Sequence, residues 1–305
     1  MASRRTDGSS GSTRTRVPKS YTFSHAATGI PKHENRAAPI ADPAEDELAT
    51  SSGEDAFFHR SDALGIADGV GGWAGVKNAD PSLFARRLMH HVHMEVQRYD
   101  DIDDEMFSHY YEAAPVDILR RAYEITVDEM DLLAMRGSST ACVVVLRGDE
   151  LRVANLGDCG LTVVRQGDMV YRTEEQQHSF NFPYQLGTEE HSDRPSDSQV
   201  FRLKIQKGDI IIVGSDGVFD NLFDEDILEE ARPKLSLPQF HVDPEAISLA
   251  IAKRAKLVSE DTRYAESPFQ MRAIQEGLYY QGGKRDDITV VVAIVTDLED
   301  TPDRR

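Results

Sequence analysis

Carboxylates set beside glycine or another acid recur along this chain. They are Glu54-Asp55 in Gly53-Glu54-Asp55-Ala56, Asp68 in Asp68-Gly69-Val70-Gly71-Gly72-Trp73, Asp216 in Ser215-Asp216-Gly217, and Asp286-Asp287 ahead of Ile288-Thr289. Carboxylates without His or Cys partners suit oxygen-seeking Mg²⁺ or Mn²⁺ and not structural Zn²⁺. Two such ions sharing a water lower its pKa and stabilise both oxygens of an in-line displacement at phosphorus. Any one Asp-Gly pair is a turn signal in its own right, because both residues favour turns. The set as a whole points to a metal centre.

Apolar runs must position these groups. Leu64-Gly65-Ile66-Ala67 precedes Asp68, Ile210-Ile211-Ile212-Val213 precedes Asp216, and Ile288 to Val295 follows Asp287. Short β-branched runs bounded by Gly and Asp predict buried strands, which place the carboxylates at strand ends on a rigid sheet. Further strands are expected at 140–146, 151–155, 161–164 and 200–205, with hairpin turns at Gly148-Asp149 and Gly167-Asp168. Phe84, Leu88, Val92 and Val96 recur every fourth residue behind Pro81, predicting an amphipathic helix. His90, His91 and His93 point in diverging directions on that helix and read as a solvated face. A second helix runs from Ile118 to near Arg136, with Gly137 as its cap. Two more are expected over 244–257 and, behind the N-cap Ser267, over 268–276. Strand runs between pairs of helices give an α+β fold. Residues 174–198 read as a long loop, with Gln176, Gln177, His178, Phe180, Asn181 and Tyr184 on the rim that meets a protein substrate.

The 305 residues and 40% hydrophobic content allow a substantial core. No stretch approaches the ~18 apolar residues of a membrane span. A net charge of −19 repels a phosphate backbone, so no nucleic-acid partner is expected. Two cysteines, Cys142 and Cys159, provide no disulfide framework and read as small core residues. Residues 1–38 are basic and Ser/Thr-rich, and read as disordered or as a transit-peptide remnant. A catalytic domain is expected over 39–298, opening on an acidic approach, with a polar tail over 299–305.

Taken in order, Glu54-Asp55, Asp68-Gly69-x-Gly71-Gly72, Gly157-Asp158, Ser215-Asp216-Gly217 and Asp286-Asp287 resemble the type 2C metal-dependent serine/threonine protein phosphatases. Glu174-Glu175-Gln176-Gln177-His178-Ser179-Phe180-Asn181 and Gly282-Gly283-Lys284-x-Asp286-Asp287 are similar to the mitochondrial branch of that family. The resemblance covers residues 53 to 296. It implies two antiparallel sheets packed as a sandwich between pairs of helices, with Asp68 bridging two Mg²⁺ or Mn²⁺ ions. The Gly69 carbonyl and Asp55 would serve the second ion, Asp216 and Asp286 the first, and Asp158 with Asp216 a third, weaker one. Glu54 would order water from behind the ligands. The implied reaction is hydrolysis of protein phosphoserine and phosphothreonine by a hydroxide held between two ions, in a monomer placed in mitochondria or, failing that, the cytoplasm.

Two positions depart from the family pattern. Val70 stands where many members carry a proton-donating histidine, so protonation of the leaving group would fall to metal-bound water or to another side chain, with His178 and His191 as candidates. Thr50 stands where many carry a phosphate-binding arginine, which leaves Arg60 or Lys284. These departures also permit an alternative, a catalytically weak module that binds phosphoproteins. An aspartyl-phosphate mechanism around Ser215-Asp216-Gly217 is excluded, because Gly214 occupies the nucleophile position and has nothing with which to attack phosphorus.

Overall fold

The computed structural model describes residues 20–33, 47–73, 75–232 and 242–300. The expectations for residues 1–19, for most of the acidic approach and for the tail beyond residue 300 lie outside these. Among the described residues fifteen strands form: β1 (Tyr21–Ile30), β2 (Thr50–Ser52), β3 (Asp55–His59), β4 (Ala63–Asp68), β5 (Ser138–Ser139), β6 (Ala141–Arg147), β7 (Glu150–Leu156) and β8 (Gly160–Arg165), then β9 (Asp168–Arg172), β10 (Gln177–Ser179), β11 (Phe182–Pro183), β12 (Leu186–Gly187), β13 (Gln199–Lys204), β14 (Ile210–Gly214) and β15 (Ile288–Asp297). They make a five-stranded sheet ordered β1-β15-β14-β8-β9, a six-stranded sheet ordered β13-β7-β6-β4-β3-β2, and two small ribbons, β10-β11 and β12-β5. Every paired strand runs antiparallel, as expected for the sandwich.

Three buried clusters define the layers. Phe57, Leu64, Ile66, Val144, Val153, Leu161, Ile211, Val213 and Val291 fill the space between the sheets. Helices α1 (Pro81–Arg98) and α2 (Pro115–Leu132) cover the outer face of the six-stranded sheet. On the five-stranded sheet sit α3 (Asp216–Phe219), α4 (Asp224–Ala231) and α5 (Pro244–Glu260), and α6 (Pro268–Gln275) follows. Helix α1 starts where Asp80 accepts the Leu83 N–H at 2.9 Å and Pro81 sets the first turn. Its stripe of Phe84, Leu88, Val92 and Val96 is fully buried, as its four-residue spacing predicts.

Several expectations are corrected. Residues 21–30, taken as part of an unstructured basic segment, form a ten-residue strand paired with β15 along its whole length. Helix α2 ends earlier than Gly137. Ala134 adopts φ +52°, and bonds from Met135 N to Met130 O and from Ala134 N to Asp131 O close a Schellman motif. Gly137 instead answers to packing, since a Cβ there would lie 2.8 Å from the Asp80 carbonyl. The turn expected at Gly167-Asp168 centres one residue earlier, with Gln166 and Gly167 both at positive φ. The histidines of α1 are not a solvated face. Nδ1 of His90 accepts the Leu48 N–H and Nδ1 of His93 meets the Leu48 carbonyl, while His91 is buried 3.0 Å from Glu129. The 174–198 loop carries three short strands, and β12 ties it to β5.

Candidate active site

Strand register explains why distant carboxylates meet. Asp55 and Asp68 are direct partners across the β3–β4 pair, on the face turned toward the other sheet. Like charges directly opposite are destabilising, so the pairing needs a cation or a proton to persist. In the five-stranded sheet, β14 ends and β15 begins at the same edge, with Gly214 opposite Val290, which brings Asp216 and Asp286-Asp287 together. Asp158 lies on the crossing from β7 in one sheet to β8 in the other, and its flanking residues pair at that same end: Leu156 with Ala141, and Gly160 with Gly214.

Glycines permit the approach. A Cβ on Gly69 would stand 2.8 Å from the carbonyl oxygens of Glu54 and Pro81. One on Gly217 would meet the Asp287 carbonyl at 2.0 Å, and one on Gly53, at φ +69°, an Asp287 carboxylate oxygen at 2.0 Å. The residue type at these positions is set by backbone and carboxylate crowding around the site.

The electrostatics are those of crowded carboxylates. Burial, followed by Asp216, Asp55, Asp286 and Asp158, pushes the Asp68 carboxyl well above its usual range. Burial and then Asp287 do the same to Asp55, while the Ser215 and Thr289 hydroxyls approach and temper the rise without a well-formed hydrogen bond to either oxygen. Asp158 is raised by burial and by Asp216 and Asp220. Both oxygens of Asp55, one of Asp158 and one of Asp216 are buried without a hydrogen-bond partner. Buried unpartnered carboxylate oxygens are costly, so these atoms suit ligation of a cation. Among the described residues no three His, Cys, Asp or Glu side chains converge on a single point. That arrangement still fits Mg²⁺ or Mn²⁺, which bind through one or two carboxylates and keep several waters, and all the donors here are oxygen.

Asp68, Asp158, Asp216 and Asp286 floor a cleft of about 750 Å³ whose walls include Val70, Trp73, His178, Phe182 and His191. Trp73 is fixed by its Nε1–H to Ser138 Oγ at 2.7 Å, and Ser138 in turn donates to Gln185 Oε1 at 2.7 Å. Val70 offers no proton. His178 lies with Nε2 3.0 Å from both Asp193 oxygens, and its ring stacks on Tyr184 at 4.0 Å. A protein-family model described as Protein phosphatase 2C matches residues 43–241.

The chain belongs to the protein phosphatase 2C family.

It is 40% identical to "Probable protein phosphatase 2C 80" of Arabidopsis thaliana over 255 residues, covering 82% of this chain and 56% of that protein. It is 39% identical to "Protein phosphatase PTC7 homolog" of Homo sapiens over 262 residues, covering 81% of each. The chain spans about half the length of the Arabidopsis relatives it matches first. Among solved structures, the photosystem II phosphatase PBCP matches with a TM-score of 0.71 and 32% identity over 90% of this chain and all of that one. A manganese-bound PstP catalytic domain, at 17% identity and TM-score 0.55, shares the fold.

Within this phosphatase 2C frame, the structure gathers Glu54, Asp68, Gly69, Asp158, Asp216 and Asp286 around one cleft, with Asp55 buried behind them. It separates Arg60 from them. That residue lies beyond the far end of β3 and pairs with Asp62 at 3.0 Å and with Asp100. Three participants, Lys32, Asp220 and Asn221, escaped the sequence reading, and Asp287 takes a role that it did not assign. Lys32, just after β1, lines the cleft with Nζ 3.2 Å from Asp286. Asp287 accepts the Lys32 N–H at 2.6 Å and the Glu54 N–H at 2.9 Å, clasping two segments to β15. Asp220, one helical turn after Asp216, is buried and bonded to Arg272 and Lys284. Its four-residue spacing from Asp216 is a signal that would have found it. Asn221 holds the backbone of Lys284. Cys159 contacts Thr140 Oγ1 at 3.1 Å, and burial raises its thiol well above the ordinary range, which suits a packing role.

Proposed function

We propose that this chain removes phosphate from phosphoserine and phosphothreonine of protein substrates at this cleft, with Mg²⁺ or Mn²⁺ as cofactor. The observation that carries the reading is the meeting of Asp55, Asp68, Asp216 and Asp286 from both sheets at one end of the sandwich, with buried unpartnered oxygens among them. Asp55, Asp68 and the Gly69 carbonyl would hold one ion, and Asp216 and Asp286 the other. A PstP structure described as holding two manganese ions supports that count. Bound there, the ions supply Lewis acidity and a more acidic water for attack at phosphorus.

The protein's own groups do the rest. Glu54, on the cleft wall, orders water. Among the described cleft residues the basic side chains besides histidine are Lys32 and Lys284, and Lys284 is committed to Asp216 and Asp220. Lys32, 38% exposed, therefore grips the substrate phosphate in place of the missing arginine. His178, oriented by Asp193, hands a proton to the leaving serine or threonine oxygen, the work Val70 cannot do. Trp73 and Phe182 shape the wall a phosphopeptide meets. A place in mitochondria belongs to the same reading, supported by the basic residues among the first 38 and the resemblance of residues 174–181 and 282–287 to that branch.

The test is hydrolysis of p-nitrophenyl phosphate and a phosphothreonine peptide with Mn²⁺, Mg²⁺ or EDTA, beside Asp216→Asn. Turnover that requires metal and disappears in the variant is expected. Metal binding without turnover would favour the phosphoprotein-binding module instead.

A further inference from the structure

Lys284 is an unusual neighbour for a metal centre. Its side chain is only 14% exposed, and Nζ lies 2.5 Å from Asp216 Oδ2, 2.6 Å from Asp220 Oδ2 and 3.3 Å from Asp286 Oδ2. The lysine does not hang loosely. Its backbone N–H donates to Asn221 Oδ1 at 2.9 Å and its carbonyl accepts from Asn221 Nδ2 at 2.8 Å, while Nδ2 also reaches the Gly217 carbonyl at 2.9 Å. The Phe269 ring centroid sits 5.1 Å from Nζ.

Asp216 divides its two oxygens. Oδ2 is taken by the ammonium, and Oδ1 is buried without a partner. Asp158 stands nearby with its own buried, unpartnered Oδ1, its other oxygen reached by Gln177 at 3.5 Å. Asp158, Asp216 and Asp220 thus form an acidic corner beside the proposed ion pair, where Asp216 and Asp220 raise the Asp158 carboxyl and the ammonium sits directly on Asp216 and Asp220. Arg272 takes the remaining oxygen of Asp220 and, at 2.5 Å, Glu175.

We propose that the Lys284 ammonium occupies the position a further divalent cation would take between Asp158, Asp216 and Asp220, so that this chain's site is completed by two ions and not three. A divalent ion binding the same two oxygens would face the ammonium at close range with little water to screen the repulsion. Removing the charge leaves Asp158 and the lysine-facing oxygens of Asp216 and Asp220 without that ammonium, while Arg272 stays on the other oxygen of Asp220, in a donor set that suits a hard cation. The inference rests on the metal-dependent reading above.

Equilibrium dialysis of the full chain against Mn²⁺, with bound metal counted by mass spectrometry, tests it without recourse to activity. The wild type binds two ions per chain, Lys284→Gln binds three, and Lys284→Arg, which keeps the charge, binds two. Asp158→Asn costs the wild type no ion and costs Lys284→Gln the one it gained. Three ions on the wild type, or two on a folded Lys284→Gln, overturn the inference. Should Lys284→Gln fail to fold by circular dichroism, an ion lost from Asp158→Asn alone overturns it, and an unchanged count supports it. A wild type that binds no Mn²⁺ sinks the metal-dependent reading itself.

Discussion

Nδ1 of His25 lies 2.6 Å from Nδ1 of His59, joining β1 to β3 across the two sheets. Only one of two facing nitrogens can donate in such a bond, so at least one ring is neutral. Burial, then the neighbouring His59, lowers the His25 pKa to about 4 from 6.5. The unfolded chain therefore takes up this proton first as pH falls. The pair's contribution is complete above pH 6.5 and is lost as pH drops through about 4. Urea midpoints at pH 7.5 and 5, with Mn²⁺ present, should fall less for His25→Gln than for the wild type. The difference is on the order of 1 kcal/mol, because partial hydration of the rings screens the effect. Equal slopes would show that the pair does not titrate in this way.

Neighbouring aspartates should fail differently. Asp287 accepts two backbone N–H groups, and an asparagine oxygen can keep only one of its two oxygens' bonds. Asp287→Asn should lose about 1–3 kcal/mol in EDTA. Asp286→Asn should change that stability little and lose metal instead. Thermal melts beside Mn²⁺ titrations separate the two, and a reversed pattern would mean the roles are exchanged.

Lys32→Ala should raise KM for a phosphopeptide and the inhibition constant of inorganic phosphate by about tenfold each, the worth of one exposed charge-assisted bond. The effect on kcat should be smaller. A fall in kcat alone would place Lys32 outside phosphate binding.

Leaving-group chemistry isolates His178. A nitrophenolate leaves without a proton and a serine alkoxide does not, so His178→Ala should slow a phosphoserine peptide about a hundredfold while sparing p-nitrophenyl phosphate. His191→Ala, changed alongside it, should affect both substrates little. Equal losses on both substrates would assign His178 to binding.

Much of this was legible in advance because it is local. The stripe of α1 follows from spacing, and strand ends follow from β-branched runs that stop at Asp or Gly. What escaped is non-local or weakly patterned. Strand β1 has large apolar side chains only at Tyr21, Phe23 and Ile30; elsewhere its residues are small or polar because it is an edge strand, with Thr28 bonded to Ser248 of α5. Nothing local says that His90 and His93 meet the backbone of Leu48. An Asp-Asp pair does not reveal that Asp287 grips Lys32, 255 positions earlier.

The order β1-β15-β14 places the last of the described strands inside its sheet, between the first of them and one from the middle. During synthesis β1 therefore waits without its ladder partner until residues 288–297 leave the ribosome. A transcript cut short before residue 286 yields a product lacking the inner strand and both of its neighbouring aspartates. Assembly of the five-stranded sheet, and the meeting of Asp286 and Asp287 with Asp216 at its edge, is thereby tied by topology to the synthesis of residues 286–297.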